Sequence, residues 1–560
     1  MKKVFFYISI TVIVFILTFI TNTVDYDLWA RLAVGSIFFQ TGNVLKHDIF
    51  SYLPTKYLWI DHEWGSGVVF YFFVKYLGVW GIFALKYFII FAIFILFIKI
   101  IKLQANKDTA GIFYFIILGF LLLPGIANLI RSQMFTYLFF TLWIYVLEKS
   151  RREENQLIWM LPVTMLLWVN MHGGFLAGIG LVMIYAIGEF LNRKNYLKYF
   201  LVLALIIPVT LINPYGFKLW NYIIEASLMP RPYVSEWAPI SLSGPFHMME
   251  GIKVHIHTGF IICALLTAFV GIKLYVQKEK PDWTRIILVT LLFYLGVKHQ
   301  RHTEFFVLAI PVLFYHQYIN LLGPLKILIK NHGYETPRQA LETNSAASCG
   351  VLYPPLCGIV QLTNSAALRL RNWSFTNKLN DKFYKIWTAG RYGFGYIILI
   401  IIFIYIFPQL SNRIIVDPLM YPVGSFEFIK QNNIPGNLAT TFDWGSYAFW
   451  KLYPQCKVLI DGRYEEVYPN DVYDIAMQFC GNKGDRQAIL RKYKTDILVL
   501  SKWKYSPADV LNFTGWKLVY QDMCSVLLLP KDKVKSFYIY PDYNNPIYSK
   551  ENLSKIVSLN

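Results

Sequence analysis

The chain has 560 residues, of which 56% are hydrophobic, 18% aromatic and only 16% charged, and its mean hydropathy is +0.42. Soluble domains carry about 25% charged and about 45–50% apolar residues, so an ordinary soluble enzyme is excluded, and so is a disordered chain. The formal charge of +19, from 53 Lys and Arg against 34 Asp and Glu, points in so apolar a chain to basic cytoplasmic loops that set topology rather than to nucleic acid.

The N-terminus reads MKK, then an uncharged apolar run, Val4–Ile20. TNTVDYD follows with no small-residue cleavage pattern, which predicts an uncleaved span with Lys2 and Lys3 inside. The segment Gly65–Leu77 is short, aromatic-rich and stops at Gly78, and reads as an interfacial helix. Further spans are expected at Gly81–Ile101, Gly111–Pro124, Met134–Leu147, Ile158–Met171, Gly174–Phe190, Phe200–Ile212, Thr258–Ile272, Ile286–Val297, Glu304–Ile319 and Phe394–Phe407. With Gly65–Leu77 flat there are about eleven crossings, and every basic cluster falls on one side. These clusters are Lys99 to Lys107, Lys149 to Arg152, Arg193 to Lys198, Lys278 to Arg285 and the long segment 321–393. The N-terminus is then cytoplasmic and everything after the last span is outside. The fold class expected is an α-helical polytopic bundle of the plasma (inner) membrane, residues 1–411, followed by a small extracytoplasmic α/β domain with a polar tail, residues 412–560.

In that domain helices are expected at Ser425–Gln431, Tyr447–Leu452 and Asp485–Tyr493. Strands are expected at Asn437–Thr441, Lys457–Ile460, Asp496–Leu500, Lys517–Tyr520 and Ser525–Leu529, an alternation that predicts a layered α/β unit. The six cysteines form no C-x-x-C. In an exported domain one pair among Cys456, Cys480 and Cys524 could oxidise.

This topology gathers polar residues from six places onto the outer face. The first external loop, 22–64, carries Asp25 and Asp27 in a D-x-D, then His47 and Asp48, then Asp61, His62 and Glu63 in WIDHEW. Carboxylates there suit a general base. They also suit Mg²⁺ or Mn²⁺ beside a phosphate leaving group, with Asp25 and Asp27 as candidate ligands. Arg131, Arg301 and His302 are candidates to hold that phosphate. His172 stands between two apolar runs in WVNMHGGF, where an ionisable group marks a functional position. The HQRH turn at His299–His302 puts positive charge on the side where it is disfavoured, which points to an anionic ligand. Glu236 and Trp237 of EWAP read as structural.

The ordered set D-x-D-L-W, HD-x-F-S-Y, W-x-x-HEW, R-x-Q-x-F-x-Y, W-x-N-x-HGGF, N-P-Y-G and E-W-x-P resembles a family of bacterial polytopic proteins classed as GT-C glycosyltransferases. The resemblance implies a multi-spanning, inverting enzyme that takes sugars from polyprenyl-phosphate or polyprenyl-pyrophosphate donors at the non-cytoplasmic face. It makes Asp25 or Asp27 the catalytic acidic residue and places His62 and Glu63 in the same cleft. The chain departs from the common W-W-H, reading Trp29-Ala30-Arg31. TFDWGSY with VLIDGR is similar to the W-W-D-Y-G region of oligosaccharyltransferase catalytic subunits, which implies an acceptor-side role for Asp443 and Trp444. The expected partners are the bilayer, a polyprenyl-phosphate sugar donor and a glycan, lipid or protein acceptor. The competing class is a transporter, flippase or scaffold for lipid-linked glycans in envelope assembly, and a transporter more often buries charges mid-span.

Overall fold

A computed structural model of the chain describes residues 2–20, 25–104, 111–123, 125, 130–153, 156–229, 231, 234–241, 246–249, 252–255, 257–321, 397–407, 415–481, 485–541 and 551–552. The basic segment 321–393, Leu321 apart, lies outside the described residues.

Uncharged Leu/Ile/Phe runs fold as helices because a helix satisfies every backbone polar group within itself. The helices are α1 (Lys2–Phe19), α2 (Tyr26–Thr41), α3 (Trp64–Gln104), α4 (Ile112–Leu121), α5 (Gln133–Arg152), α6 (Met160–Met171) and α7 (Phe175–Leu191). They continue with α8 (Leu197–Val209), α9 (Lys218–Leu228), α10 (Thr258–Val276), α11 (Trp283–Lys298), α12 (Thr303–Leu313), α13 (Tyr315–Leu321) and α14 (Ile397–Ile406). Among the described residues, α3 and α10 are long and apolar enough to cross a membrane, and six shorter apolar helices have 10–17 residues.

Gly65–Leu77 is the first part of α3, set off from the rest at Gly78, whose φ of 59° is open to glycine at little cost. Within the first loop, α2 is a departure from the expected irregular segment. Its N-cap is Asp25, whose carboxylate accepts the Asp27 N–H at 2.8 Å, and it ends at Gly42 with φ 70°. One expected span is not free of charge, since Lys86 is buried in the middle of α3.

The helices share two distinct ends. The Arg131, His172 and His299–His302 turns meet at one. At the other, Arg151 donates to Glu189 at 2.6 Å and to both oxygens of Asp282 at 2.6 and 2.8 Å, tying α5, α7 and the start of α11.

The C-terminal domain is a mixed sheet. A short antiparallel hairpin, β1 (Phe246–Met249) and β2 (Ile252–His255), precedes it in the chain, and β3 (Ile415–Val416) leads into it. The sheet comprises β4 (Gly436–Thr440), β5 (Cys456–Val458), β6 (Ile497–Ser501), β7 (Trp516–Gln521) and β8 (Ser525–Pro530), in the order β5-β4-β6-β8-β7. β4 is parallel to β5 and β6, and β8 is antiparallel to β6 and β7. All five residues of β6, ILVLS, are buried, as a central strand covered on both faces requires. Helices α15 (Val423–Gln431), α16 (Phe442–Leu452), α17 (Tyr464–Val467) and α18 (Asn470–Cys480) pack around it. In the tail, β9 (Glu551–Asn552) returns to pair with β3. The expected oxidised pair is not formed: Cys456, Cys480 and Cys524 are buried free thiols, and the first two donate to the carbonyls of Ile434 and Thr440.

The two parts are welded by the segment between α2 and α3. Val458 N–H donates to Phe50 O at 2.8 Å, Tyr52 N–H to Val458 O at 3.1 Å and Lys56 N–H to Val467 O at 2.8 Å. The loop thereby covers the β5 edge, which would otherwise present unpaired backbone groups. Phe50 stacks on Phe449 at 4.4 Å, and Trp29 of α2 packs against Tyr447 at 4.9 Å.

Candidate functional site

At the junction of the bundle end, α2 and the sheet domain lies a cavity of about 810 Å³. Asp25, Asp27, His62, Glu63, Arg131, His172, Arg301, His302 and Asp443 all line it. Trp444 does not: its indole is buried and donates to Met420 O at 2.8 Å, so it packs the α16 turn rather than facing the cavity. Asp443, one residue earlier, pairs with Lys504 at 2.9 Å.

The D-x-D is gathered by one guanidinium. Arg131 Nε lies 3.3 Å from Asp25 Oδ2, Nη2 lies 2.7 Å from Asp27 Oδ2, and Nη1 pairs with Glu236. Glu236 is therefore part of this cluster, beyond the structural role read for it. Burial pushes the Asp25 carboxyl up to about 7, against the pull of Arg131. Its side chain is 8% exposed, whereas that of Asp27 is 43% exposed. Gly462 of the sheet domain comes close to Asp27: a Cβ built on it would lie 2.9 Å from Asp27 Oδ1.

These carboxylates do not fit a divalent cation as they stand, because Arg131 already occupies the position between them. Among the described residues no group of three or more Asp, Glu, His or Cys is placed to hold a metal ion. We expect the wild-type protein to show no tight Mn²⁺ binding by electron paramagnetic resonance, and Arg131→Ala, which exposes three carboxylates, to gain it. Tight wild-type binding lost on Asp27→Asn would contradict this.

A second cluster surrounds Arg31, the residue that departs from the family pattern. Arg31 pairs with Asp61 and lies 3.6 Å from Glu63 and 3.7 Å from Glu466 of α17. His62 Nδ1 is 3.0 Å from Glu466 and its Nε2 is 3.7 Å from Glu63. His172 Nδ1 accepts the Gly174 N–H at 2.9 Å and faces the Thr136 hydroxyl at 2.8 Å, while that hydroxyl accepts the Trp168 indole N–H. Nδ1 is thus an acceptor, and the ring proton sits on Nε2, 3.3 Å from Glu63 Oε1. Burial lowers His172 to about 3 and keeps it neutral. His62 is the opposite case: burial opposes its charge, but Glu466, Glu63 and Asp61 raise it to about 9. Its pairing contributes stability that is whole below pH 6.5 and lost as pH rises through about 9. Burial would raise Glu63, but Arg31 and the cationic His62 hold it down to about 2, with the Nε2–H of neutral His172 turned toward it.

The weak motifs turn out to be one framework. Tyr215 of NPYG accepts the Asp61 N–H at 3.1 Å, and Asn170 accepts the Trp64 indole N–H at 3.1 Å. HGGF needs its second glycine because a Cβ at Gly174 would lie 2.5 Å from Thr136 Oγ1.

The Trp237 ring, next to Glu236, meets two guanidinium groups, Arg231 at 4.2 Å and Arg301 at 4.8 Å from its centroid. Arg231 is neutralised by Glu465 at 3.3 Å. Arg301 has no carboxylate within ion-pair distance among the described residues. Burial, then Arg301 and His299, lower His302 to about 4, so it is neutral. Trp237, read from the sequence as structural, lines the cavity, and so does Arg231, which no motif in the sequence marks. The lining also has an apolar part, with Leu176, Ala177 and Leu181 of α7 and Leu291, Leu292 and Leu295 of α11.

The sequence matches no protein-family model and no curated protein sequence. Its fold does have solved counterparts. The chain is similar to apo ArnT from Cupriavidus metallidurans, with 13% identity and a TM-score of 0.50 over 94% of this chain and 97% of that one. The chain shares the fold of this ArnT. Two further GT-C structures align: the same ArnT bound to undecaprenyl phosphate, at 13% identity, TM-score 0.47 and the same coverage, and the archaeal oligosaccharyltransferase AglB from Archaeoglobus fulgidus in complex with an inhibitory peptide and a dolichol-phosphate. AglB shares 11% identity at a TM-score of 0.49, over 96% of this chain and 76% of that one. Within this fold the cavity lies where the helical bundle meets the sheet domain.

Proposed function

We propose that the chain is an integral-membrane glycosyltransferase that moves a sugar from a polyprenyl-phosphate donor to an acceptor hydroxyl. The observation that carries this reading is the cavity itself. Its lining holds carboxylates and also Arg301, a guanidinium with no carboxylate partner among the described residues. The same cavity is lined by apolar residues of α7 and α11. A phosphate joined to a long hydrocarbon chain needs that combination. ArnT, whose apo form shares the fold, binds undecaprenyl phosphate, a molecule of this chemical kind.

In the proposed reaction Asp27, the more open carboxylate, takes the proton of the acceptor hydroxyl as general base. Arg131 orients it and Asp25 fixes Arg131. The acceptor oxygen bonds to the anomeric carbon as the bond from that carbon to the phosphate oxygen breaks on the opposite face, which inverts the centre. Polyprenyl phosphate leaves with its charge against Arg301. The basic end of the bundle, with Arg151, Arg152, Arg193 and Lys198, is proposed to be cytoplasmic, which places the cavity and residues 412–560 outside. Eleven crossings, with Gly65–Leu77 along the interface, belong to the same proposal.

Undecaprenyl phosphate titrated onto the purified protein in nanodiscs tests the lipid part. Wild-type protein is expected to bind it, and Arg301→Gln to bind it tenfold to hundredfold less tightly, since hydrogen bonds to a charged group are worth about 1.5–3 kcal/mol. Equal binding by both proteins would remove Arg301 from the phosphate.

A further inference from the structure

Glu466 takes no part in the proposed reaction, yet it reaches the site from the sheet domain. It belongs to α17 of the sheet domain, and its side chain is 6% exposed. Oε2 accepts the Trp59 indole N–H at 2.8 Å and lies 3.7 Å from Arg31 Nη2. Oε1 lies 3.0 Å from His62 Nδ1, out of line for a full hydrogen bond, so that contact is chiefly one of charge.

Counting charge shows what this contact does. Arg31 faces three buried carboxylates, Asp61 and Glu63 of the first loop and Glu466 of α17. One guanidinium against three carboxylates leaves two negative charges out of water, which is costly unless a second cation is present. His172, from the turn between α6 and α7, cannot supply it, since its Nδ1 is committed as an acceptor. Tyr222 of α9, whose ring lies 5.3 Å from that of His62, brings no charge. The second cation is His62, which lines the cavity. Without Glu466 the same net charge is reached with His62 neutral.

We propose that Glu466 is a positioning residue of the membrane site: carried in by the docked sheet domain, it holds His62 as a cation at the cavity wall, where His62 adds to the attraction for the donor phosphate. The identity of the ligand rests on the transferase reading; the pairing of Glu466 with His62 does not. The sheet domain would then be part of the donor site as well as a platform beside it, and a domain that undocks would take the charge of His62 with it.

Diethyl pyrocarbonate acylates neutral imidazole, so its reaction at His62, followed by peptide mass spectrometry on the full-length protein in nanodiscs, reads the charge directly. The wild-type midpoint is expected well above the ordinary histidine value of about 6.5. Glu466→Gln is expected to lower it by at least about one pH unit, a tenfold change in proton affinity. Glu466→Asp, which keeps the charge at shorter reach, is expected to fall between the two and decides the matter should Glu466→Gln fail to fold. Binding of undecaprenyl phosphate is expected to weaken as pH rises through the wild-type midpoint, and to do so at lower pH in Glu466→Gln. A wild-type midpoint near 6.5, or one that neither variant moves, overturns the proposal. If His62 shifts as expected but undecaprenyl phosphate never binds the wild-type protein, the pairing of Glu466 with His62 is supported and the transferase reading fails.

Discussion

Asp27→Asn is expected to lower sugar transfer by roughly 10²–10⁴-fold, the usual worth of a positioned general base, and to leave the protein folded. Both halves follow from how Arg131 is held. The substitution removes one of its three carboxylates but leaves Asp25 and Glu236 in place. Asp25 also carries the N-cap of α2, so that turn keeps its hydrogen bond. The partner substitution Asp25→Asn should behave differently. An asparagine oxygen can still cap the helix, and a buried carboxyl raised to about 7 costs stability as pH rises from its ordinary 3.8 through that value. Asp25→Asn should therefore melt higher than wild type at pH 8 and about equally at pH 4. Thermal unfolding at the two pH values, beside transfer assays, separates the base from the cap. Full turnover by Asp27→Asn would remove its catalytic role.

Arg463→Met is expected to cost about 3–5 kcal/mol of stability, the penalty of breaking one side of a buried ion pair. Arg463 is 1% exposed in its side chain and bridges the two parts of the chain. It donates to both oxygens of Asp461 at 2.7 Å and to Asp48 of the first loop at 2.8 Å. It also lies over the rings of Trp59, Phe449 and Phe50 at 4.6 to 5.1 Å. With it gone, two buried carboxylates face each other without a cation. Adding Asp48→Asn and Asp461→Asn to Arg463→Met should restore part of the loss, because the cost lies in the uncompensated charges. Thermal unfolding of the two variants, together with protease nicking between residues 42 and 63, checks this. An Arg463→Met protein as stable as wild type would show that the junction is not held this way.

The polar residues of the bundle end are legible in the sequence because they interrupt long uncharged runs. Asp25, Asp27, His62, Glu63, Arg131, His172 and Arg301 stand out for that reason, and the fold brings them to one cavity. Glu466 does not stand out. In a polar stretch such as GRYEEVYP a carboxylate looks like surface, and its partners Trp59, His62 and Arg31 lie near the other end of the chain. Helix α2 is hidden for a related reason: two aspartates and an arginine make 22–64 read as loop, whereas Asp25 is the cap and Arg31 is paired inside. Trp444 misleads in the other direction. A Trp-Gly after an aspartate is equally the first turn of a packed helix, and here it is one. The bundle's crossing count is the least legible feature, because several helices are shorter than the roughly 20 residues of a straight span.

The most direct test of lipid-linked transfer is the pool of polyprenyl-phosphate-linked sugars in cells carrying wild type or Asp27→Asn at equal expression. Loss of the general base should make the donor accumulate while one glycan, lipid or protein acceptor loses its sugar. An unchanged donor pool, with every acceptor still decorated, would contradict the account.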